Sequence, residues 1–184
     1  MVSVLGYALL GLLARAPSTG YDLTRVLDRD LSYFWSARHS QIYPELARLE
    51  RGDHVRHTVI SGAGPRPTKR YEITARGRDA LTAWLVGEPE ESIERNPTML
   101  RISSLWLIDR AAARQLLDGV RRRSTDRLSL YRRFAAEFDA EPGSADPSQP
   151  AFATRATLEA GIRSQEARLA WCDWLQERLE GSGR

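Results

Sequence analysis

Ser40, Gln41 and Tyr43 fall within four consecutive positions, and Arg38 and His39 lead into them. Glutamine pairs bidentately with the edge of adenine and serine bonds to either base class, so these three are candidate contacts to base edges or phosphates of double-stranded DNA. Arg38 and His39 suit phosphate oxygens better than bases. For Tyr43 the alternative is a ring packed on a neighbouring element. A second cluster, Arg66, Thr68, Lys69 and Arg70, follows in the run GPRPTKR. Its cations suit a phosphate backbone, and the flanking prolines stiffen the segment toward a defined surface. Arg48 and Arg51 have acidic neighbours in Glu45, Glu50 and Asp53 and read as surface pairs. Tyr21 reads as a structural hydroxyl in preference to a phosphate contact.

Other chemistries lack a starting residue. His54 and His57 have a metal-like spacing, but on a strand positions i and i+3 point to opposite faces. The sequence offers them no nearby cysteine or carboxylate to complete a set. No G-x-S-x-G, phosphate-cradling glycine loop or Cys–His pairing occurs, so no enzyme, metal or cofactor is expected. Cys172, the single cysteine, excludes an intrachain disulfide and sits in the apolar run AWCDWL, where a buried thiol is expected. Arg121, Arg122 and Arg123 fall in the middle of a helix and are expected to face solvent. Trp84, Trp106, Trp171 and Trp174 are expected in the core or at a subunit interface, with contact to a small effector as the alternative.

Presenting the two polar clusters requires a helix followed by a hairpin. Ile42, Leu46 and Leu49 recur at i, i+4 and i+7, one apolar stripe. The opposite face carries Ser40, Tyr43, Pro44, Ala47, Arg48 and Arg51, with Gln41 beside it, a surface suited to a major groove. The working limits are 40–51, closed by Gly52. With Ser40 as the N-cap, Pro44 deletes only the first intrahelical bond; with Ser36 as the cap it lies in the interior and kinks the helix. Strands HVRHTVI and KRYEI, joined by SGAGPRPT, form a two-stranded wing over about Val55–Ile73 and place Arg66, Lys69 and Arg70 on its loop. Upstream, one helix covers about 3–14. A second starts at Thr19, whose hydroxyl caps it while Asp22 completes a capping box. Tyr33, Phe34 and Trp35 lie in a connection expected to pack under the third helix. Downstream, Thr74 caps a helix that runs into AWLVG.

The chain has 184 residues and a net charge of +3. Residues 1–86 hold 12 Lys+Arg against 8 Asp+Glu, whereas residues 87–184 hold 15 against 16, so the N-terminal half is the better polyanion binder. The reading is a mostly α protein: a winged helix-turn-helix domain at 1–86, an acidic, proline-containing linker at 87–97, and a helical domain at 98–184. Helices are expected over about 98–107, from Asp109 to about Asp139, and over about 151–180. Two long helices joined by a loop cannot hide both faces in so small a subunit, so this half is expected to form a homodimer. No apolar run approaches the ~18 residues of a membrane span. The apolar N-terminus lacks the preceding basic residues of a secretion signal, which makes the cytoplasm the expected compartment.

Three segments, VLGYALLGLLARAPSTGYDLTR (4–25), SQIYPELARLERGDHV (40–55) and KRYEITARGRDALTAWL (69–85), together resemble the PadR family of bacterial transcriptional regulators. The telling elements are Gly20-Tyr21-Asp22, Ile42-Tyr43-Pro44 followed by Leu46 and Leu49, and Tyr71-x-Ile73-Thr74-x-x-Gly77. The C-terminal half resembles the longer, virulence-activator-like branch through its helix layout and the run from Arg155 to Glu166. The resemblance implies a dimer that binds a pseudo-palindromic operator, acts as a repressor and is released by a small aromatic effector. It places the recognition helix at Ser40–Arg51, and no motif carries an effector site across. The alternative is an adaptor, binding ligand or protein, whose winged domain does not touch DNA.

Overall fold

In the computed structural model, the residues described are 1–28, 39–61, 67–88 and 96–181. The chain divides by its packing into two compact units, Met1–Glu91 and Ser92–Arg184.

The first unit opens with α1 (Val4–Arg15), capped by the Ser3 hydroxyl, which accepts the Gly6 N–H at 3.0 Å. Two extended residues, β1 (Ser18–Thr19), lead into α2 (Gly20–Val26). The capping box at its start is as expected: Thr19 Oγ1 accepts the Asp22 N–H, and the Asp22 carboxylate accepts the Thr19 N–H. Helix α3 (His39–Arg51) ends in a turn where Asp53 takes the left-handed conformation (φ 56°). There the N–H of His54 donates to Leu49 O at 2.9 Å, closing the last turn of the helix. Strands β2 (Val55–Ile60) and β3 (Thr68–Ile73) pair antiparallel with Val55 opposite Ile73 and Ile60 opposite Thr68. β1 adds to the free edge of β3, giving the order β1-β3-β2. That third strand was not expected, because two residues are too few to show a period of two. Helix α4 (Ala75–Val86) is capped by Thr74, as its sequence predicts.

The apolar stripes meet in one core. Leu9, Leu10 and Leu13 of α1, Leu23 and Leu27 near α2, Ile42, Leu46 and Leu49 of α3, and Val55, Tyr71 and Ile73 of the hairpin are all buried. Each large aliphatic among them contributes about 1.5–3 kcal/mol by leaving water. At the root of the hairpin, Thr74 ties three elements together. Its N–H donates to His54 O at 3.0 Å, its hydroxyl donates to Asp53 O at 2.7 Å, and the same oxygen accepts the Gly77 N–H. A Cβ on Gly77 would overlap the His54 carbonyl, so α4 can start this close to the α3–β2 turn only with glycine there.

The second unit begins with α5 (Pro97–Ile102), capped by Asn96. The single helix expected over 98–107 is broken. Ser103 turns its hydroxyl back to Leu100 O, and only a 3₁₀ turn at Leu105–Leu107 follows. Helix α6 (Arg110–Asp139) starts from an Asp109 cap, and α7 spans Pro150–Gly181. The two run antiparallel, as Arg155 on Asp139 and Arg132 on Glu166 show. Leu117, Val120, Leu128, Tyr131 and Phe138 of α6 and Leu158, Ile162 and Cys172 of α7 form the buried seam. Burial pushes the Cys172 thiol above its ordinary value. Arg122 and Arg123 are exposed, but Arg121 is not a free solvent-facing cation: it reaches Asp173 and Gln176 across the seam. Within a single chain Trp106 and Trp174 are exposed, not core. No helix among the described residues is long and apolar enough to cross a membrane.

Candidate nucleic-acid interface

The buried stripe of α3 leaves Ser40, Gln41, Tyr43, Pro44, Ala47, Arg48 and Arg51 on the exposed side. The helix starts at His39, so Ser40 lies inside it and is not the N-cap of the first alternative. Pro44 is therefore interior, and having no N–H it cannot donate to the Ser40 carbonyl. His39 contributes the first helical residue, but its side chain, together with Arg38 and the connection bearing Tyr33, Phe34 and Trp35, falls outside the described residues.

Tyr43 packs on a neighbouring element, as the alternative reading for it has it, and still stays on the exposed side of α3. Its ring lies against Gly20, where an added Cβ would stand 2.6 Å from Cε1, yet the residue remains 55% exposed. It thus bridges the start of α2 to the exposed face of α3. Tyr21 is not a buried structural hydroxyl; it is exposed, with the Arg25 guanidinium 6.0 Å from its ring centroid. Arg48 is drawn away from the exposed face toward the N-terminus: it donates to Met1 O at 2.5 Å and lies 3.6 Å from Glu45. Arg51 Nε donates to Ala47 O at 3.3 Å.

On the wing, Lys69 and Arg70 belong to β3 and not to the connecting loop, a correction with consequences. Consecutive strand residues face opposite ways. Lys69 shares the inner face with Tyr71 and Ile73, whereas Arg70 shares the outer face with Thr68 and Glu72. Arg70 stands opposite Thr19 of β1, and its Nε donates to Pro17 O at 3.4 Å. Thr68 is half-buried opposite Ile60. Arg66 lies outside the described residues. Two cations read as one cluster therefore serve two surfaces.

Sequence reasoning offered Glu50 only as a partner for Arg48 or Arg51 and missed its place against the hairpin. Its carboxylate meets Nδ1 of His57 on β2 and lies 3.9 Å from Nζ of Lys69 on β3. A carboxylate does stand beside His57, contrary to expectation, and it comes from α3. His57 also packs across the strands on Tyr71, ring centroids 5.8 Å apart. Burial first, then the charge of Glu50, pushes the Tyr71 hydroxyl above its ordinary value. Among the described residues no three His, Cys, Asp or Glu side chains are grouped to hold a metal.

Comparison with known proteins matches this geometry. Residues 9–83 match the transcriptional regulator PadR-like family, and residues 94–180 match the C-terminal domain described as virulence activator alpha. The negative transcriptional regulator PadR of Bacillus subtilis is 32% identical over 176 residues, covering 92% of this chain and 94% of that protein. The crystal structure of Bacillus subtilis PadR in complex with operator DNA superposes with a TM-score of 0.89 at 26% identity, covering 97% of this chain and 99% of that one. The same protein in complex with p-coumaric acid superposes with a TM-score of 0.81 at 27% identity, covering 96% of each chain.

Proposed function

The chain belongs to the PadR-like family of transcriptional regulators, and from that premise we propose that it is a homodimeric, sequence-specific DNA-binding repressor. The observation that carries this reading is the exposed α3 face of Ser40, Gln41 and Tyr43, set beside a basic hairpin in a fold that superposes on PadR solved with operator DNA. Ser40, Gln41 and Tyr43 read base edges or phosphates from the major groove, with Arg38 and His39 on phosphates at the helix entry. Thr68, Lys69, Arg70 and Arg66 supply the wing contacts.

The domain at 1–86 binds DNA, 87–97 links, and 98–184 dimerises through α6 and α7. Support for a second copy comes from the apolar side chains that the helical unit leaves open, Leu100, Trp106, Leu107 and Trp174. Two recognition helices then address half-sites of a pseudo-palindromic operator about one helical turn apart. Release by a small aromatic compound is inferred by analogy with PadR, whose structure with p-coumaric acid has the same fold. The cytoplasm is the compartment this function requires.

Sequencing genomic fragments captured by the purified protein, followed by titration of the best fragment, tests the reading. Enrichment of one or a few inverted repeats is expected, with affinity falling steeply as salt rises. Capture with no sequence preference would overturn it, and no capture at all would leave the adaptor as the better description.

A further inference from the structure

Glu50 puts one negative charge on an element that, in the proposed function, approaches a polyanion. We propose that Glu50 is a positioning residue for DNA recognition, a single carboxylate on the last turn of α3 that holds both strands of the wing at a fixed angle to the recognition helix. This inference rests on the DNA-binding reading. Glu50 touches His57 on β2 with one oxygen and faces Lys69 on β3 with the other. His57 and Lys69 lie on the same inner face of the hairpin, two steps apart along its ladder, since His57 is opposite Tyr71 and Val59 opposite Lys69. That face grades from buried Val55, Ile73 and Tyr71 through half-buried His57 to exposed Val59 and Lys69. Glu50 therefore acts where the apolar packing of the wing gives out.

Two physical consequences follow. Lys69, held by Glu50, is not a freely mobile cation, so the wing contributes fewer indiscriminate phosphate contacts than its composition suggests. A wing fixed relative to α3 can also satisfy its phosphate contacts only when α3 is in one register on the bases. A loose wing makes them in any register, which favours every duplex alike. Glu50 gives up raw affinity and provides discrimination.

The test uses the full chain carrying Glu50→Gln or Glu50→Ala. Its own promoter fragment and a scrambled duplex are titrated by fluorescence anisotropy across a salt series, and amide hydrogen exchange is followed in the free protein. For Glu50→Ala, affinity for scrambled DNA rises while preference for the promoter falls by about tenfold. The salt slope on scrambled DNA steepens by about one ion as Lys69 is released, and adding Lys69→Met reverses that steepening. Amides of Val55–Ile60 and Thr68–Ile73 exchange faster, whereas those of α1 do not. Glu50→Gln, which keeps an acceptor for His57 without the charge, falls between.

An equal gain on both duplexes would mean a bystander charge, and parallel losses with a lowered Tm would mean a merely structural residue; either overturns the proposal. Unchanged exchange in the two strands overturns it without reference to DNA. If the wild-type chain shows no preference for its promoter, the DNA-binding reading itself fails, while the exchange result still decides whether Glu50 restrains the wing.

Discussion

Gly20→Ala should separate DNA affinity from stability. A methyl at Gly20 would sit 2.6 Å from Cε1 and 3.2 Å from Cζ of Tyr43. Ordinary carbon contacts lie near 3.5–4.0 Å, so the ring must withdraw by roughly 1 Å. It has room to do so, because it is already more than half exposed. Gly20 is the first residue of α2, where alanine is the better helix former, so stability should stay within about 1 kcal/mol of wild type. What is lost is the placement of the Tyr43 hydroxyl. A charge-assisted bond from that hydroxyl to a phosphate is worth about 1.5–3 kcal/mol, roughly 10- to 100-fold in Kd. Anisotropy titration on the promoter fragment and a thermal melt measure the two quantities side by side. The decisive comparison is the Tyr43→Ala background, in which Gly20→Ala should weaken binding no further. If it weakens binding as much there as in wild type, or leaves wild-type affinity intact, Tyr43 is not the route by which Gly20 matters and the reasoning is wrong.

Gly77→Ala should have the opposite profile, because its obstacle is the His54 backbone and not a movable ring. Losing the two Thr74 bonds to the α3–β2 turn and the α4 cap costs about 3 kcal/mol, seen in calorimetry as a Tm lowered by roughly 6–12 °C. Gly11→Ala, with open space around its Cβ in the middle of α1, should instead raise stability by about 0.5–1 kcal/mol; a shift of the same sign for both variants would contradict the packing described. Tyr71 supplies a pH test. Its hydroxyl is raised above 10.0 by burial and then by Glu50 and Tyr43, so the fold favours the neutral form. That contribution is complete below about pH 10 and is lost as pH rises through the raised value, so Tm should fall more steeply above pH 10 in wild type than in Tyr71→Phe. Equal steepness would remove Tyr71 from the account.

Much of the first unit could be read from the chain because its signals are local. The spacing of Ile42, Leu46 and Leu49 declares a buried helical stripe within eight residues, and Thr19, Thr74 and Asp109 act on backbone N–H groups only three positions away. What escaped depends on partners distant in sequence or on elements too short to have a period. Ser18–Thr19 became a strand only because the edge of β3 passes by. Arg121 looked like one of three solvated arginines until the antiparallel seam brought Asp173 to it. Ser40 looked like a cap because its residue type suits one, although the helix had already begun at His39. Lys69 and Arg70 were read as one cationic patch because composition ignores the alternation of a strand.

The same distinction explains why the wing needs two kinds of restraint. Its root is set by backbone: the left-handed Asp53, the paired bonds of Thr74 and the missing side chain of Gly77 fix where the hairpin leaves the body. A root alone does not fix the angle of a twisted two-stranded ribbon, which bends readily beyond its last buried pair. That pair is Val55 and Ile73, and the hairpin runs on to Ile60 and Thr68. Over this length β1 supports only one edge of β3, at Tyr71 and Arg70. The inner face has His57 and Lys69 meeting Glu50. The outer face has Arg70 on the Pro17 carbonyl. Gripped from both faces by these polar contacts, the hairpin keeps beyond its last buried pair an angle that its root alone would not set.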